Sequence, residues 1–344
     1  MKMTKHSLRP LRKPLRPLRE IIFLISVLGI ISSCTDQKKP KPTTTTVTQP
    51  TVIAPTFNAD SAYAFVKAQC DFGPRVPGTK AHAACAEFLE KKFKTYTSSV
   101  TVQTGVVTTF DGVKLNIKNI IASFNPQSKS RVLIFAHWDT RPWADQDTAR
   151  TNEPIIGADD GGSGVGVLLE IARQLSTQAP AIGIDLICFD AEDWGKKDGG
   201  EESEDSYALG TQFWANSPHI PGYIADYGIL LDMVGAKGAQ FRMEGFSKQH
   251  AQFVIDKVWK TASRLGYSDY FLYQESGYVT DDHVYVNRIN IPSIDIIHSN
   301  PSTRSGFGSH WHTHRDNMDI IDRNTLKAVG QTLLEVIFSE GKGI

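Results

Sequence analysis

Four apolar runs in this 344-residue chain end in side chains that ligate metals or move protons. His137 and Asp139 follow RVLIFA, Asp159 and Asp160 open a Gly-rich turn, Glu192 and Asp193 follow DLICFD, and Asp232 closes YGILLD. A fifth group, His310, Trp311, His312 and His314, comes after PSIDIIH. Any one of these has a bland explanation, since adjacent acids are common in solvated turns and Asp159–Asp160 fits a helix cap. Four runs that all finish in acids within an apolar sheet are much harder to obtain as surface decoration. Imidazoles and carboxylates gathered in one cleft suit zinc, which accepts His nitrogen and Asp or Glu oxygen.

Such a cleft needs elements that bring distant residues together. Helical spacing runs over Asn58 to Gln69 and over Thr79 to Tyr96, the second capped by Thr79. Val100 to Thr109 and Leu115 to Phe124 alternate apolar and polar residues, and Asp111-Gly112 between them signals a hairpin. Then follow the strand RVLIFAH, the helix GVGVLLEIARQL, the strand DLICFD, the helix LGTQFWA, the strand YGILLDMV and the helix HAQFVIDKVWKTASRL. Near-continuous apolar strands alternating with amphipathic helices predict a mostly parallel sheet buried on both faces. The fold class is therefore a three-layer α/β/α sandwich on a mixed sheet. In an open α/β sheet the ligand crevice lies outside the strand C-termini, where the charged residues fall.

Composition bounds the rest. Lys+Arg and Asp+Glu number 37 each, and 40% of residues are hydrophobic, as in an ordinary globular chain. The zero net charge hides an asymmetry: residues 1–33 carry seven basic residues and one acid, which leaves 30 basic against 36 acidic residues beyond them. A nucleic-acid partner is excluded on that balance. Basic residues, the apolar run Ile21 to Ile31, and then Ser32-Ser33-Cys34 form a signal-peptide layout, and the run is too short to span a bilayer comfortably. An aliphatic residue, two small ones and Cys resemble the bacterial lipobox, in which the Cys is lipidated. The expected organisation is a signal peptide at 1–33, a Thr/Pro/Lys-rich tether at 34–57 from lipidated Cys34, and one catalytic domain at 58–344. The chain is then an exported bacterial lipoprotein, membrane-anchored and facing the periplasm or cell surface. Cys188 reads as a core thiol, while Cys70 and Cys85 admit either a disulfide or two free thiols. Asp198 to Ser206, DGGEESEDS, reads as a solvated loop rather than a calcium site.

The ordered set HWD, GADDGGSGV, AED, LLDMVGA, DDH and WHT resembles the zinc aminopeptidase and glutaminyl cyclase superfamily from about Phe65 to the C-terminus. In the two-metal aminopeptidases of that group, His137, Asp160 and Asp232 would hold one zinc and Asp160, Asp193 and His312 the other, with Glu192 as base. Three features resemble the cyclase branch: Trp311 directly before His312, the Asp281-Asp282-His283 motif, and the segments FGPRVPG, HWDTRPWADQD, AEDWG and WHTHRDNMDIID, which are similar to the bacterial lipoprotein members.

That resemblance implies a glutaminyl-peptide cyclotransferase, which turns an N-terminal Gln into pyroglutamate and releases ammonia. It implies one zinc on Asp160, Asp193 and His312, Glu192 as proton shuttle, and a carboxyl pair of Asp232 and Asp281 beside the leaving nitrogen. His137 and Asp139 would support the ligands, or bind a second zinc. Trp311, and Trp194 unless it is simply core, would pack the glutaminyl side chain. Peptides or proteins with N-terminal Gln are the implied partners, and the chain is expected to act as a monomer. Two positions depart from the animal-type pattern: Asp193 stands where Glu is usual, and Asp295 where His is usual. The competing expectation is a two-zinc aminopeptidase, and a metal-free binding lipoprotein on the same scaffold is the reading from a different class.

Overall fold

The computed structural model describes residues 53–197 and 205–341. The expected signal peptide, Cys34 and most of the tether lie outside these residues, as does most of the acidic loop. Among the described residues no helix is long and apolar enough to cross a membrane.

The chain opens with α1 (Ala59–Cys70) and α2 (Lys80–Lys94), each begun by the side-chain cap its sequence offers: Asn58 accepts from Ser61 N–H and Thr79 from His82 N–H. The expected hairpin follows as β1 (Val100–Thr108) and β2 (Lys114–Phe124), paired antiparallel. Next come β3 (Arg131–His137), α3 (Gly162–Thr177), β4 (Gly183–Phe189), α4 (Leu209–Asn216) and β5 (Tyr227–Asp232). Beyond them lie β6 (Phe241–Met243), α5 (Gly245–Arg264), β7 (Phe271–Glu275), α6 (Asp282–Arg288), β8 (Ser293–Ile297) and α7 (Arg323–Ser339).

Six strands form one sheet in the order β1-β2-β4-β3-β5-β8, and β3, β4, β5 and β8 run parallel. Strand pleat divides the apolar runs between two cores. Val132, Ile134 and Ala136 of β3 join the larger core, whereas Leu133 and Phe135 join Trp214, Tyr223 and Val286 on the opposite face. Helices α1, α3, α5 and α7 pack with the first core, and the shorter α4 and α6 pack against the second side, giving the three layers that alternation predicts.

Differences from the sequence expectations are local. β6 and β7 form a separate two-stranded parallel sheet, too short to show a period. α5 begins five residues before His250, because Glu244 caps it by accepting from Phe246 and Ser247 N–H, and it kinks at Ala251 (φ −144°, ψ 41°). The expected tether ends too late: Phe57 is buried, its N–H donates to Gln331 Oε1 at 2.8 Å, and the carbonyls of Ile53, Pro55 and Thr56 accept from Gln178, Gln331 and Gln174. An aromatic ring with a complementary slot in α7 outweighs the polar composition around it. Cys70, Cys85 and Cys188 are free thiols. Burial pushes Cys70 up to about 11 and Cys85 up to about 12, which keeps both protonated and unreactive.

Candidate active site

The parallel strands end on one edge of the sheet, and their C-termini deliver the predicted residues into a cavity of about 390 Å³. Asp160, Glu192, Asp193, Asp232, Asp281, Trp311 and His312 all line it. β3 brings His137, the turn into α3 brings Asp160, the segment after β4 brings Glu192 and Asp193, and β5 brings Asp232.

Two groups of three ligating side chains share Asp160: His137, Asp160 and Asp232 form one, and Asp160, Asp193 and His312 the other. Within each, the ligand atoms lie within 4.8 Å of one another, and all five residues are buried. His137 Nε2 stands 3.1 Å from Asp160 and 3.2 Å from Asp232; His312 Nε2 stands 3.3 Å from Asp193 and 3.7 Å from Asp160. Asp193 Oδ2 is buried with no hydrogen-bond donor. Burying a carboxylate oxygen with no partner is costly unless a cation or donor meets it. The donor set therefore fits zinc, and it has the residues for a second ion.

Backbone strain helps aim these groups. Ala191 (φ 54°) precedes Glu192, Met233 (φ 48°) follows Asp232, and His312 itself has φ 53°. Non-glycine residues at positive φ are uncommon, and these three lie at or beside residues that line the cavity. Gly161 (φ 86°) begins α3 directly under His137, where a Cβ would approach Asp139 O to 2.5 Å.

Asp139 is not placed as a ligand. Its two oxygens accept the N–H groups of Glu192 (3.0 Å) and Asp193 (3.2 Å), fixing the turn that presents both carboxylates. Three residues inside the quoted motifs do similar work without having been singled out. Asp316 accepts from Asp159 and Asp160 N–H at 2.7 and 3.1 Å. Arg141, fully buried, donates to Asp193 Oδ1 and Asp193 O at 3.1 Å each, and to both oxygens of Asp145. Asp145 also lies 3.3 Å from His312 Nδ1, the nitrogen turned away from the ligand group. A sequence signal existed, because an Arg and two acids within motif segments need partners once buried.

Glu192 stands apart from both ligand groups, its nearest charged partner being His137 Nδ1 at 3.9 Å. Burial holds its carboxyl well above the usual range; His137 opposes this, and the charges of Asp281 and Asp193 add to it. Asp232 and Asp281 are each pushed up to about 8, mainly by burial. Asp232 Oδ1 meets His137, and Asp281 accepts from Asp282 N–H. They share the cavity wall and repel as charges.

Trp311 stacks on His312 with ring centroids 3.7 Å apart, and Phe307 leans on Trp311 at 4.9 Å. Trp194 is a correction. It does not line the cavity; its indole N–H donates to Asp111 and its ring packs edge-on against Trp143, under the β1–β2 hairpin. His314 is likewise turned aside, onto Asp147 at 2.9 Å. Asp295 is buried behind the site with neither oxygen hydrogen-bonded, and burial holds it well above the carboxylate range.

Comparison with known proteins agrees with this geometry. A Zn-dependent exopeptidase from Parabacteroides distasonis is 53% identical, with a TM-score of 0.82 over 84% of this chain and 100% of that one. A glutaminyl cyclase from Bacteroides thetaiotaomicron is 50% identical, with a TM-score of 0.82 over 84% and 100%. The glutaminyl-peptide cyclotransferase of Bos taurus is 26% identical over 249 residues, 63% of this chain and 64% of that protein, so the match spans just under two thirds of that relative. Residues 119–337, which hold every ligating side chain named above, match the family model of Peptidase family M28, and the chain belongs to that family.

Proposed function

We propose that this enzyme is a zinc-dependent glutaminyl-peptide cyclotransferase, acting on peptides or proteins that carry N-terminal Gln and releasing ammonia as pyroglutamate forms. The observation that carries it is one cavity that holds Glu192, outside both ligand groups, together with Asp160, Asp193 and His312, the raised carboxyls Asp232 and Asp281, and Trp311. Two relatives named for this activity, one 50% identical along its whole length, support it.

Asp160, Asp193 and His312 would hold the zinc, which when bound polarises the γ-carbonyl of the substrate glutamine. The attacking group is the substrate's own α-amine, so closure of the five-membered ring gains from proximity and needs no enzyme nucleophile. Glu192 takes the proton that the amine must lose and returns it to the departing amide nitrogen, a task that suits a carboxyl with a raised pKa. Asp232 and Asp281, raised toward neutrality, keep a proton within reach of that nitrogen and orient it. Trp311 packs the glutaminyl methylenes. One zinc is enough on this reading, because a second cation beside the amine would hold it as a ligand and oppose its attack.

The intact His137–Asp160–Asp232 group favours a second reading, a two-zinc aminopeptidase. Gln-peptide and Leu-peptide substrates separate the two: ammonia release from the first supports the cyclase, and amino-acid release from the second with two zinc equivalents required supports the peptidase. Glu192→Gln should lower cyclisation at least ~10²-fold while zinc content and fold persist. Near wild-type turnover in that variant would mean the proton shuttle lies elsewhere.

We further propose that the enzyme works as a monomer, tethered to a bacterial membrane through lipid on Cys34, on the strength of the residues that precede it. Cys34→Ser should leave the membrane fraction or stay unprocessed, and unchanged membrane association with normal processing counts against the anchor.

A further inference from the structure

Behind the active site lies a third group of ligating side chains, Asp159, His298 and His310, none of which lines the cavity. Their ligand atoms lie within 4.8 Å of one another and all three residues are buried. Asp159 comes from the turn before α3, His298 from the end of β8 and His310 from the loop before Trp311, so the group joins three separate segments. Asp159 Oδ1 accepts from Gly235 N–H at 2.7 Å, while Oδ2 meets His310 Nε2 at 2.8 Å.

Two observations separate this group from an ordinary buried Asp–His pair. His298 is 7% exposed, and its Nδ1 has no hydrogen-bond partner, although a buried imidazole nitrogen is costly to leave bare. Gly308 lies beneath both rings: a Cβ there would overlap the His310 ring and come within 2.9 Å of His298 Cε1. The loop thus gives up a side chain where the two imidazoles, with ring centroids 5.8 Å apart, are brought over the same spot. Burial holds His298 below the usual histidine range; Asp159 opposes this, and His310 and Arg242 add to it. The carboxylates of Asp160 and Asp316 add negative potential beside His310. Arg242 is the cation that opposes it at His298.

We propose that Asp159, His298 and His310 form an additional binding site for a divalent transition-metal ion, zinc being the ion to test. Two imidazole nitrogens and one carboxylate oxygen are a borderline-soft donor set that suits zinc and its neighbours rather than magnesium or calcium. Binding replaces the His310–Asp159 hydrogen bond by two metal bonds: a neutral His310 then carries its one proton on Nδ1, and a doubly protonated one gives its Nε2 proton to solvent. The ion would staple the Trp311–His312 loop to β8 and to the turn that carries Asp160. The site is independent of whether the enzyme cyclises or hydrolyses, so either outcome for the substrate assay leaves this test standing.

The full chain is equilibrated with zinc and dialysed, and metal is counted by elemental analysis in wild type, His298→Ala and His137→Ala. Wild type should hold one equivalent more than His298→Ala, whichever count His137→Ala gives. In wild-type crystals equilibrated with zinc, an anomalous difference peak should stand between Asp159, His298 and His310. This second measurement keeps the test open should His298→Ala fail to fold. Equal zinc in wild type and His298→Ala, or a wild-type crystal with anomalous peaks at the active site and none at this group, overturns the proposal.

Discussion

At the scale of single residues, the site is built as much by groups that hold its turns in place as by those that line its cavity. Asp139 shows this most plainly: one buried carboxylate accepts the backbone N–H groups of both Glu192 and Asp193, so the proposed proton shuttle and a proposed zinc ligand are aimed by the same side chain. Asp139→Asn keeps the size but replaces one accepting oxygen by an N–H donor facing an N–H. The expected result is a loss of about 10–100-fold in kcat/KM with zinc held more weakly, as found when groups supporting metal ligands are removed. Steady-state kinetics with metal content measured alongside check this, and activity within twofold of wild type would show that the turn holds without Asp139. The types at 137, 160, 193, 232 and 312 announced a metal centre from the sequence. Asp139 was legible as part of the constellation but not in its role, because spacing cannot tell a carboxylate that meets a metal from one that meets two amides.

At the scale of elements, the same contrast explains what could be read and what could not. The strands β3, β4 and β5 were legible because they are buried on both faces and their apolar runs are unbroken, and the caps of α1 and α2 were legible because Asn58 and Thr79 have a single local task. With the strands placed, the crevice at their C-termini followed. The contacts that were not legible depend on tertiary partners. Trp194 follows the candidate metal ligand Asp193 in the chain, yet its side chain turns to Asp111 and Trp143, since the hairpin offers an aromatic slot and a hydrogen-bond acceptor. The Asp159–His298–His310 group joins residues up to 151 positions apart, and only the folded loop over Gly308 makes them neighbours. Short, half-exposed β6 and β7 carry no period to detect, and a kink such as that at Ala251 is invisible to a helical count.

At the scale of the whole molecule, the packed body begins before the first helix. Thr, Pro and Lys dominate the approach to it, a composition that predicts a free tether up to residue 57, but three backbone carbonyls and one N–H from Ile53 to Phe57 are taken by glutamine side chains of α3, of the residue that ends it, and of α7. Phe57 is the anchor of this segment: it is 2% exposed, belongs to the larger core, and lies where Gly330 leaves no room for a Cβ. Phe57→Ala should therefore lower the unfolding free energy by about 3–5 kcal/mol, the usual cost of truncating a buried Phe. Denaturant unfolding of the full chain followed by fluorescence measures it, and the variant that remains folded at low temperature should keep wild-type kcat, since no atom of Phe57 lines the active-site cavity. A stability change under about 0.5 kcal/mol, the range typical of surface substitutions, would return residues 53–57 to the tether.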